Sequence, residues 1–252
     1  MPTRITADRV TKEFQQTMHP YSTALELVSN VFSGKSREAF RAVDDVSFFV
    51  AEGETVGIIG ANGSGKSTLL RCLADIYRTT SGNVTTKGRV VYINGFNQGL
   101  NPKLTMRDNI FLIGSLLGMD RKTIHKQFDE VVHFSGLYDF VDMQVKDFSD
   151  GMRARLGFSV AIFSLTHHDP DILLLDEINL GTGGGDIVFQ EKSQGMMKKI
   201  MKNAKSIVYV SHNLESVVEH CDRVLWMDKG SIRLDGKPQE VVDRYRNFFK
   251  KK

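Results

Sequence analysis

The chain has 252 residues, enough for one large domain or two small ones, and 33 basic residues against 30 acidic ones give a net charge of +3. That near balance argues against a nucleic-acid-binding protein, and two cysteines are too few for a disulfide framework. The longest apolar run, at 156–165, is too short to cross a bilayer, and residues 1–10 lack an apolar signal region. We therefore expect a soluble, cytoplasmic chain that reaches a membrane only through a partner.

The N-terminal part of the chain alternates strand and helix patterns. Weak alternation predicts a strand at 4–14, and an apolar stripe predicts a helix over about 21–39. Two strands around a turn at Glu52 and Gly53 are predicted within 42–60. They are followed by a helix at 66–77 and a strand at 88–95.

The C-terminal part contains two short, continuous apolar runs, at 171–177 and 206–212, which are typical of buried parallel strands. The other elements predicted there are helices at 105–140, 149–165 and 239–252 and a hairpin at 223–236. Strands that alternate with helices indicate an α/β fold. The early strands suggest an antiparallel side sheet, and the helical middle, about 100–160, suggests an inserted subdomain.

A phosphate-binding loop is predicted where GANGSGKST matches G-x-x-x-x-G-K-[ST] between an apolar strand and a helix. Glycines let backbone N–H groups converge on phosphates, and the helix N-terminus adds partial positive charge. Lys66 is expected to reach the β- and γ-phosphates and to take part in catalysis, and the Ser67 hydroxyl to hold Mg²⁺. The predicted cofactor-binding residues of this loop are Gly60, Ala61, Asn62, Gly63, Ser64, Gly65, Lys66, Ser67 and Thr68.

Two carboxylates end the apolar strand at 171–177. A phosphate loop needs a carboxylate from a neighbouring strand to orient Mg²⁺, and Asp176 is the candidate. Glu177 stands next to it, where a base orients attacking water, and is predicted to be catalytic. The glycine tract at 181–186 is not the phosphate loop, because it follows no strand directly and lacks a Gly-Lys-Ser/Thr ending. GTPases of the P-loop class read guanine with N-K-x-D, which this sequence lacks.

With the turn FSDGMRARLGF at 148–158 added, the chain resembles the ATP-binding cassette (ABC) ATPases over nearly its whole length. The resemblance implies a P-loop NTPase fold with a mixed core sheet, an antiparallel side sheet and a helical subdomain that carries the signature turn. It also implies a head-to-tail homodimer in which each ATP lies between the P-loop of one subunit and Ser149 and Gly151 of the other. His212, in VYVSHN, would contact the γ-phosphate and take part in catalysis.

Two elements implied by the resemblance have more than one candidate residue. The glutamine of the coupling loop, also expected at the metal, is assigned to Gln98, with Asn94 and Asn97 as alternatives. The aromatic ring that stacks on adenine is assigned to Phe14, with Phe40 as the runner-up. For either ring, packing in the core is an equally good explanation.

Within the ABC family the chain looks most like the ATPase subunits of bacterial polysaccharide exporters, those for O-antigen, capsule and wall teichoic acid. Four features carry this: the signature S-x-G-M-x-x-R-L-x-F, the coupling loop at 99–110, the helical insertion and the ending at 211–230. They imply two copies of a membrane-spanning partner that handles a lipid-linked glycan, an ATPase peripheral on the cytoplasmic face, and no nucleic acid. We expect one nucleotide-binding domain over 1–252, without an extra C-terminal glycan-binding domain.

The sequence departs from the family pattern at two places. Asp150 replaces a small residue in the signature, and a carboxylate there either repels a γ-phosphate or points away from it. The loop between Glu177 and Asp186, the expected contact across the dimer, is a few residues longer than usual. The alternative function is a non-transport ABC ATPase acting on nucleic acid or ribosomes, although such relatives usually carry two cassettes or long coiled coils.

Overall fold

The computed structural model describes residues 2–15, 39–95, 99–168, 170–178 and 186–250. The strands are β1 (Thr3–Gln15), β2 (Ala39–Ala51), β3 (Thr55–Ile59), β4 (Ser81–Thr86), β5 (Val90–Asn94), β6 (Ile172–Asp176), β7 (Ser206–Val210), β8 (Arg223–Asp228) and β9 (Ser231–Gly236). The helices are α1 (Lys66–Leu73), α2 (Met106–Leu116), α3 (Arg121–Ser135), α4 (Asp150–His168), α5 (Ile187–Asn203), α6 (Leu214–His220) and α7 (Pro238–Lys250). The predicted insertion at 21–39 lies outside the described residues, except for the first residue of β2.

A six-stranded sheet with the order β5-β6-β7-β3-β8-β9 forms the centre of the molecule. Its strands run parallel, except that β9 returns antiparallel to β8 through the predicted hairpin. This is the predicted mixed core sheet. Because the carboxyl ends of parallel strands meet at one edge, the segments that follow β3, β6 and β7 emerge side by side there.

A second, antiparallel sheet has the order β2-β1-β4 and is the predicted side sheet. The two strands predicted around Glu52 and Gly53 therefore belong to different sheets, since β2 pairs with β1 whereas β3 lies in the core sheet. The strand β4 was not predicted, because its SGNVTT sequence has no strong apolar alternation and no fully buried side chain. β4 is specified by its pairing with β1 rather than by its own pattern.

Apolar side chains fill both faces of the core sheet. On β6, Leu173 and Leu175 belong to a cluster with α4, α5 and α7, while Leu174 belongs to a cluster with α1 and the side sheet. Alternate residues of a strand point to opposite faces, so both faces of β6 are covered and all five of its residues are buried. The continuous apolar pattern of this strand follows from that position.

The helices α2, α3 and α4 share a third apolar cluster. The predicted helical stretch at 105–140 divides where Asp120 caps α3 by accepting a hydrogen bond from the backbone N–H of Thr123. Gly136 ends α3 with φ +66, a left-handed conformation suited to glycine. The prediction of a helix to residue 77 was too long, because α1 ends at Leu73 and Asp75 adopts φ +57.

Candidate nucleotide-binding site

The predicted phosphate loop joins β3 to α1 at the carboxyl edge of the core sheet. Two of its glycines are required by their backbone, since Gly60 has φ +154 and Gly65 has φ +100. A Cβ atom on Gly60 would lie 2.3 Å from the carbonyl oxygen of Met227, and one on Gly65 would lie 2.1 Å from that of Ala42. With Gly65 at its N-cap, α1 has no capping side chain, which leaves its first N–H groups available to a phosphate.

Lys66 lies inside this loop and is 4% exposed. Its Nζ donates hydrogen bonds to the carbonyl oxygens of Gly60 at 2.9 Å and Ala61 at 3.0 Å. Burial lowers the pKa of Lys66, and the nearby carboxylates of Glu177 and Asp176 act in the opposite direction. The ammonium group is therefore held across the loop at the place where the sequence expects phosphates.

The predicted metal residues Ser67 and Asp176 meet directly, as the Ser67 hydroxyl donates to Asp176 Oδ1 at 2.9 Å. Asp176 is fully buried at the end of β6. A hydroxyl and a carboxylate are hard oxygen donors, and Mg²⁺ usually binds to one or two such groups together with phosphates and water. The Ser67 hydroxyl and the Asp176 carboxylate therefore fit Mg²⁺ bound together with a nucleotide. Among the described residues, no group of three or more His, Cys, Asp or Glu side chains could hold a metal ion.

Tyr92 on β5, which was not among the predicted site residues, also reaches this carboxylate. Its hydroxyl donates to Asp176 Oδ2 at 2.8 Å. Burial raises the pKa of Tyr92 to about 12, so the phenol is protonated and acts as a donor at neutral pH. The signal in the sequence that could have identified Tyr92 is a side chain with a polar end, placed two residues before the end of β5.

Two of the predicted catalytic residues, Glu177 and His212, face each other after β6 and β7. His212 Nε2 lies 3.1 Å from Glu177 Oε1, and both side chains are half exposed. Glu177 adopts φ +53, which is unusual for a residue with a side chain, and its N–H donates to the carbonyl oxygen of Val210 at 3.0 Å. The left-handed turn thus stands at the residue that carries the predicted catalytic carboxylate.

A cavity of about 320 Å³ lies between these groups. Its walls include Lys66, Ser67 and neighbouring residues of the loop on one side and Glu177 and His212 on the other. The structure thus brings the predicted phosphate, metal and water-orienting residues to a single concave site.

Phe40, the alternative adenine platform, lines the same cavity and is 52% exposed. Phe14 is its partner in the β1–β2 pairing, but it does not line the cavity. The Phe14 ring instead packs against the Tyr77 ring in a T-shaped arrangement, with a centroid distance of 5.5 Å. The assignment of the adenine platform to Phe14 stays a prediction, and the cavity favours Phe40.

The signature turn lies at the exposed start of α4. Ser149 caps this helix, since its Oγ accepts a hydrogen bond from the N–H of Met152 at 3.2 Å, and Gly151 lies in the first turn. The Asp150 side chain is 98% exposed and pairs with Arg153 at 2.8 Å. Neither Ser149 nor Gly151 lines the cavity of its own subunit.

The remaining predicted contacts are described only in part. Asp186 caps α5 by accepting a hydrogen bond from the N–H of Phe189 at 2.9 Å, and it lies 3.6 Å from Arg155 of α4. Gln98, Asn97 and the glycine tract at 181–185 lie outside the described residues. Asn94, the other coupling-loop candidate, ends β5 opposite Asp176.

The profile of the ABC transporter family matches residues 43–179, more than half of the chain. The chain belongs to the ABC transporter family. This membership and the fold confirm the predicted ABC ATPase. Similar solved structures include the ATP-binding cassette MJ0796, as a dimer in a post-hydrolysis state with bound ADP and phosphate. That structure has a TM-score of 0.66 with this chain and is 21% identical in sequence, and the match covers 93% of this chain and 98% of that one.

Curated relatives of this cassette include the O-antigen export system ATP-binding protein RfbB of Klebsiella pneumoniae. The two sequences are 37% identical over 245 residues, which cover 96% of this chain and 97% of the relative. The teichoic acids export ATP-binding protein TagH of Lactococcus lactis is 36% identical over 98% of this chain, which spans 52% of that relative. Within the described residues, no helix of the cassette is both long and apolar enough to cross a bilayer.

Proposed function

We propose that this chain is the ATP-hydrolysing subunit of an exporter that moves a lipid-linked polysaccharide or a teichoic-acid-type polymer across the cytoplasmic membrane. The observation that carries the proposal is the similarity to an O-antigen export ATP-binding protein over 96% of the chain. The similarity to a teichoic acid export ATP-binding protein supports the same class of cargo. The nucleic-acid alternative finds no support among these relatives.

The geometry of the cavity supports ATP hydrolysis. Backbone N–H groups at the start of α1 and the ammonium group of Lys66 are suited to bind the β- and γ-phosphates. Ser67 and Asp176 would hold Mg²⁺, which neutralises charge on the phosphates when it is bound. Glu177 accepts a proton from the water that attacks the γ-phosphorus, and ADP leaves as the bond to the β-phosphate oxygen breaks. His212 lies 3.1 Å from Glu177 and would orient its carboxylate. It would also contact the γ-phosphate.

A head-to-tail homodimer would complete this site. Ser149 and Gly151 lie outside the cavity of their own subunit, on the exposed start of a helix whose N–H groups favour anions. A second copy would bring them to the γ-phosphate, so that each ATP lies between two subunits. The pairing of Asp150 with Arg153 supports a carboxylate directed away from that phosphate.

Two copies of a membrane-spanning partner would carry the glycan and hold the cassettes on the cytoplasmic face of the membrane. We place residues 100–160 as the helical subdomain of a single cassette over 1–252, because α2, α3 and α4 share an apolar cluster of their own. Gln98 and Phe14 keep their predicted roles in coupling and adenine binding as hypotheses.

The proposal is tested in a host strain that lacks the gene for this chain. Complementation with Glu177→Gln should abolish surface polymer and accumulate lipid-linked polymer inside the cell, because loss of a general base slows hydrolysis by roughly 10²–10⁴-fold. Glu240→Gln is the matched control, since Glu240 pairs with Arg244 on the surface of α7 at 3.0 Å. Normal surface polymer with Glu177→Gln would contradict the proposed function.

A further inference from the structure

The contact between Tyr92 and Asp176 joins neighbouring strands of the core sheet. In the β5–β6 register Tyr92 lies opposite Leu174, and Asn94 lies opposite Asp176. Residues two apart on a strand share a face, so Tyr92 stands one step back along the strand on the same face as the carboxylate. Its long phenol spans that step and places the hydroxyl 2.8 Å from Oδ2.

Each oxygen of the Asp176 carboxylate therefore accepts a hydrogen bond from a different hydroxyl group. Ser67 donates to Oδ1 at 2.9 Å, from the loop that meets the nucleotide. Tyr92 donates to Oδ2 from the neighbouring strand β5. Because Asp176 is fully buried, water does not replace a donor that is removed, and the two hydroxyls together fix the plane of the carboxylate.

The Tyr92 hydroxyl is oriented in turn by Arg71, on the helix that follows the phosphate loop. Arg71 Nε lies 3.4 Å from the phenol oxygen and donates to it, which directs the phenol proton toward Asp176. The same guanidinium group lies 3.5 Å from the hydroxyl of Tyr77. Three separate elements, α1, β5 and β6, thus meet at a single carboxylate.

We propose that Tyr92 is the positioning residue of the magnesium site. It holds Asp176 Oδ2, so that Oδ1 stays turned toward Ser67 and the position of the metal. Residues that orient metal-binding carboxylates typically change metal affinity by about 10- to 100-fold when they are replaced. The inference rests on the proposed metal-binding roles of Asp176 and Ser67 and assigns Tyr92 no contact with the nucleotide.

The test measures ATP binding to the full chain as Mg²⁺ is titrated, and again in excess EDTA. Tyr92→Phe removes a single hydroxyl and should raise the Mg²⁺ concentration for half-maximal effect by about 10-fold. Binding of ATP without metal should stay within about twofold of wild type, because a hydroxyl on Asp176 influences the nucleotide only through the metal. Mn²⁺ binding followed by electron paramagnetic resonance should weaken in parallel.

Tyr77→Phe is the matched control, since it removes a hydroxyl that contacts Arg71 but not Asp176, and its Mg²⁺ dependence should equal that of wild type. If Tyr92→Phe unfolds, Arg71→Gln takes its place, because it removes the donor that orients the phenol, and a shift in the same direction is expected.

The variant Asp176→Asn distinguishes a failure of the role proposed for Tyr92 from a failure of the magnesium site itself. A wild-type Mg²⁺ dependence in Tyr92→Phe, beside a strong loss in Asp176→Asn, overturns the inference for Tyr92 alone. A wild-type dependence in both variants overturns the proposed magnesium site and the inference with it.

Discussion

The phosphate loop and the signature turn each lie at the start of a helix, but Lys66 of the loop is buried whereas Ser149 and Asp150 of the signature turn are exposed. The phosphate loop packs against the core sheet, and its Lys66 is 4% exposed and donates hydrogen bonds to two carbonyl groups of the loop. The signature turn lies on the surface, where the Asp150 side chain is 98% exposed and touches a residue of its own helix. The phosphate loop is assembled within one chain, whereas Ser149 and Gly151 of the signature turn do not line the cavity of that chain.

This difference follows from how each region would meet a nucleotide. A buried site can hold a lysine and an aspartate in fixed positions before the ligand arrives, which lowers the reorganisation needed on binding. A surface that closes on a second subunit must stay open until that subunit docks. We expect substitutions in the loop to act on ATP binding within one subunit, and substitutions in the signature turn to act on association.

The largest effect in this comparison is expected from Lys66→Ala. Removing the ammonium group should weaken ATP binding by roughly 10- to 150-fold, the factor for about 1.5–3 kcal/mol per hydrogen bond to a charged group. Equilibrium binding of ATP to the isolated chain measures this, with the exposed Lys87→Ala as the matched control. Wild-type affinity in Lys66→Ala would remove the phosphate site from this loop.

An intermediate effect is expected from Phe40→Ala. If this ring stacks on adenine, ATP binding should weaken by about 2- to 12-fold, which corresponds to about 0.5–1.5 kcal/mol for an aromatic contact. Phe14→Ala is the paired variant, because Phe14 neighbours Phe40 in the strand pairing but does not line the cavity. A larger loss of ATP affinity in Phe14→Ala than in Phe40→Ala would return the adenine platform to Phe14.

The smallest effect is expected from Asp150→Ser. The exposed pair of Asp150 with Arg153 is worth at most about 1 kcal/mol, so ATP-dependent dimerisation should change by less than about fivefold. Sedimentation of the Glu177→Gln protein with and without Asp150→Ser, at saturating ATP, measures the dimerisation constant. A rise above about tenfold, or 1.4 kcal/mol, would mean that the carboxylate faces the phosphate of the partner site.

The sequence predicted the elements whose pattern is local and missed those that depend on their neighbours. The P-loop motif lay between a strand and a helix as expected, and the hairpin at 223–236 formed as predicted. β4 was missed because its polar sequence becomes a strand only beside β1. The helix after the P-loop was predicted too long because Ala74, Asp75 and Ile76 continue the pattern of the helix, whereas the chain turns at Asp75.

The sequence by itself determined the family. It also singled out Lys66, Ser67, Asp176, Glu177 and His212 as candidate site residues, because each stands in a short contiguous motif tied to a strand end. Only the tertiary structure decided that Tyr92 reaches Asp176 and that Phe40 rather than Phe14 lines the cavity. Tyr92 and Asp176 are 84 positions apart in the chain, and they meet because β5 and β6 pair in one particular register. Register and strand order are set by the burial of whole strands, and no local motif records them.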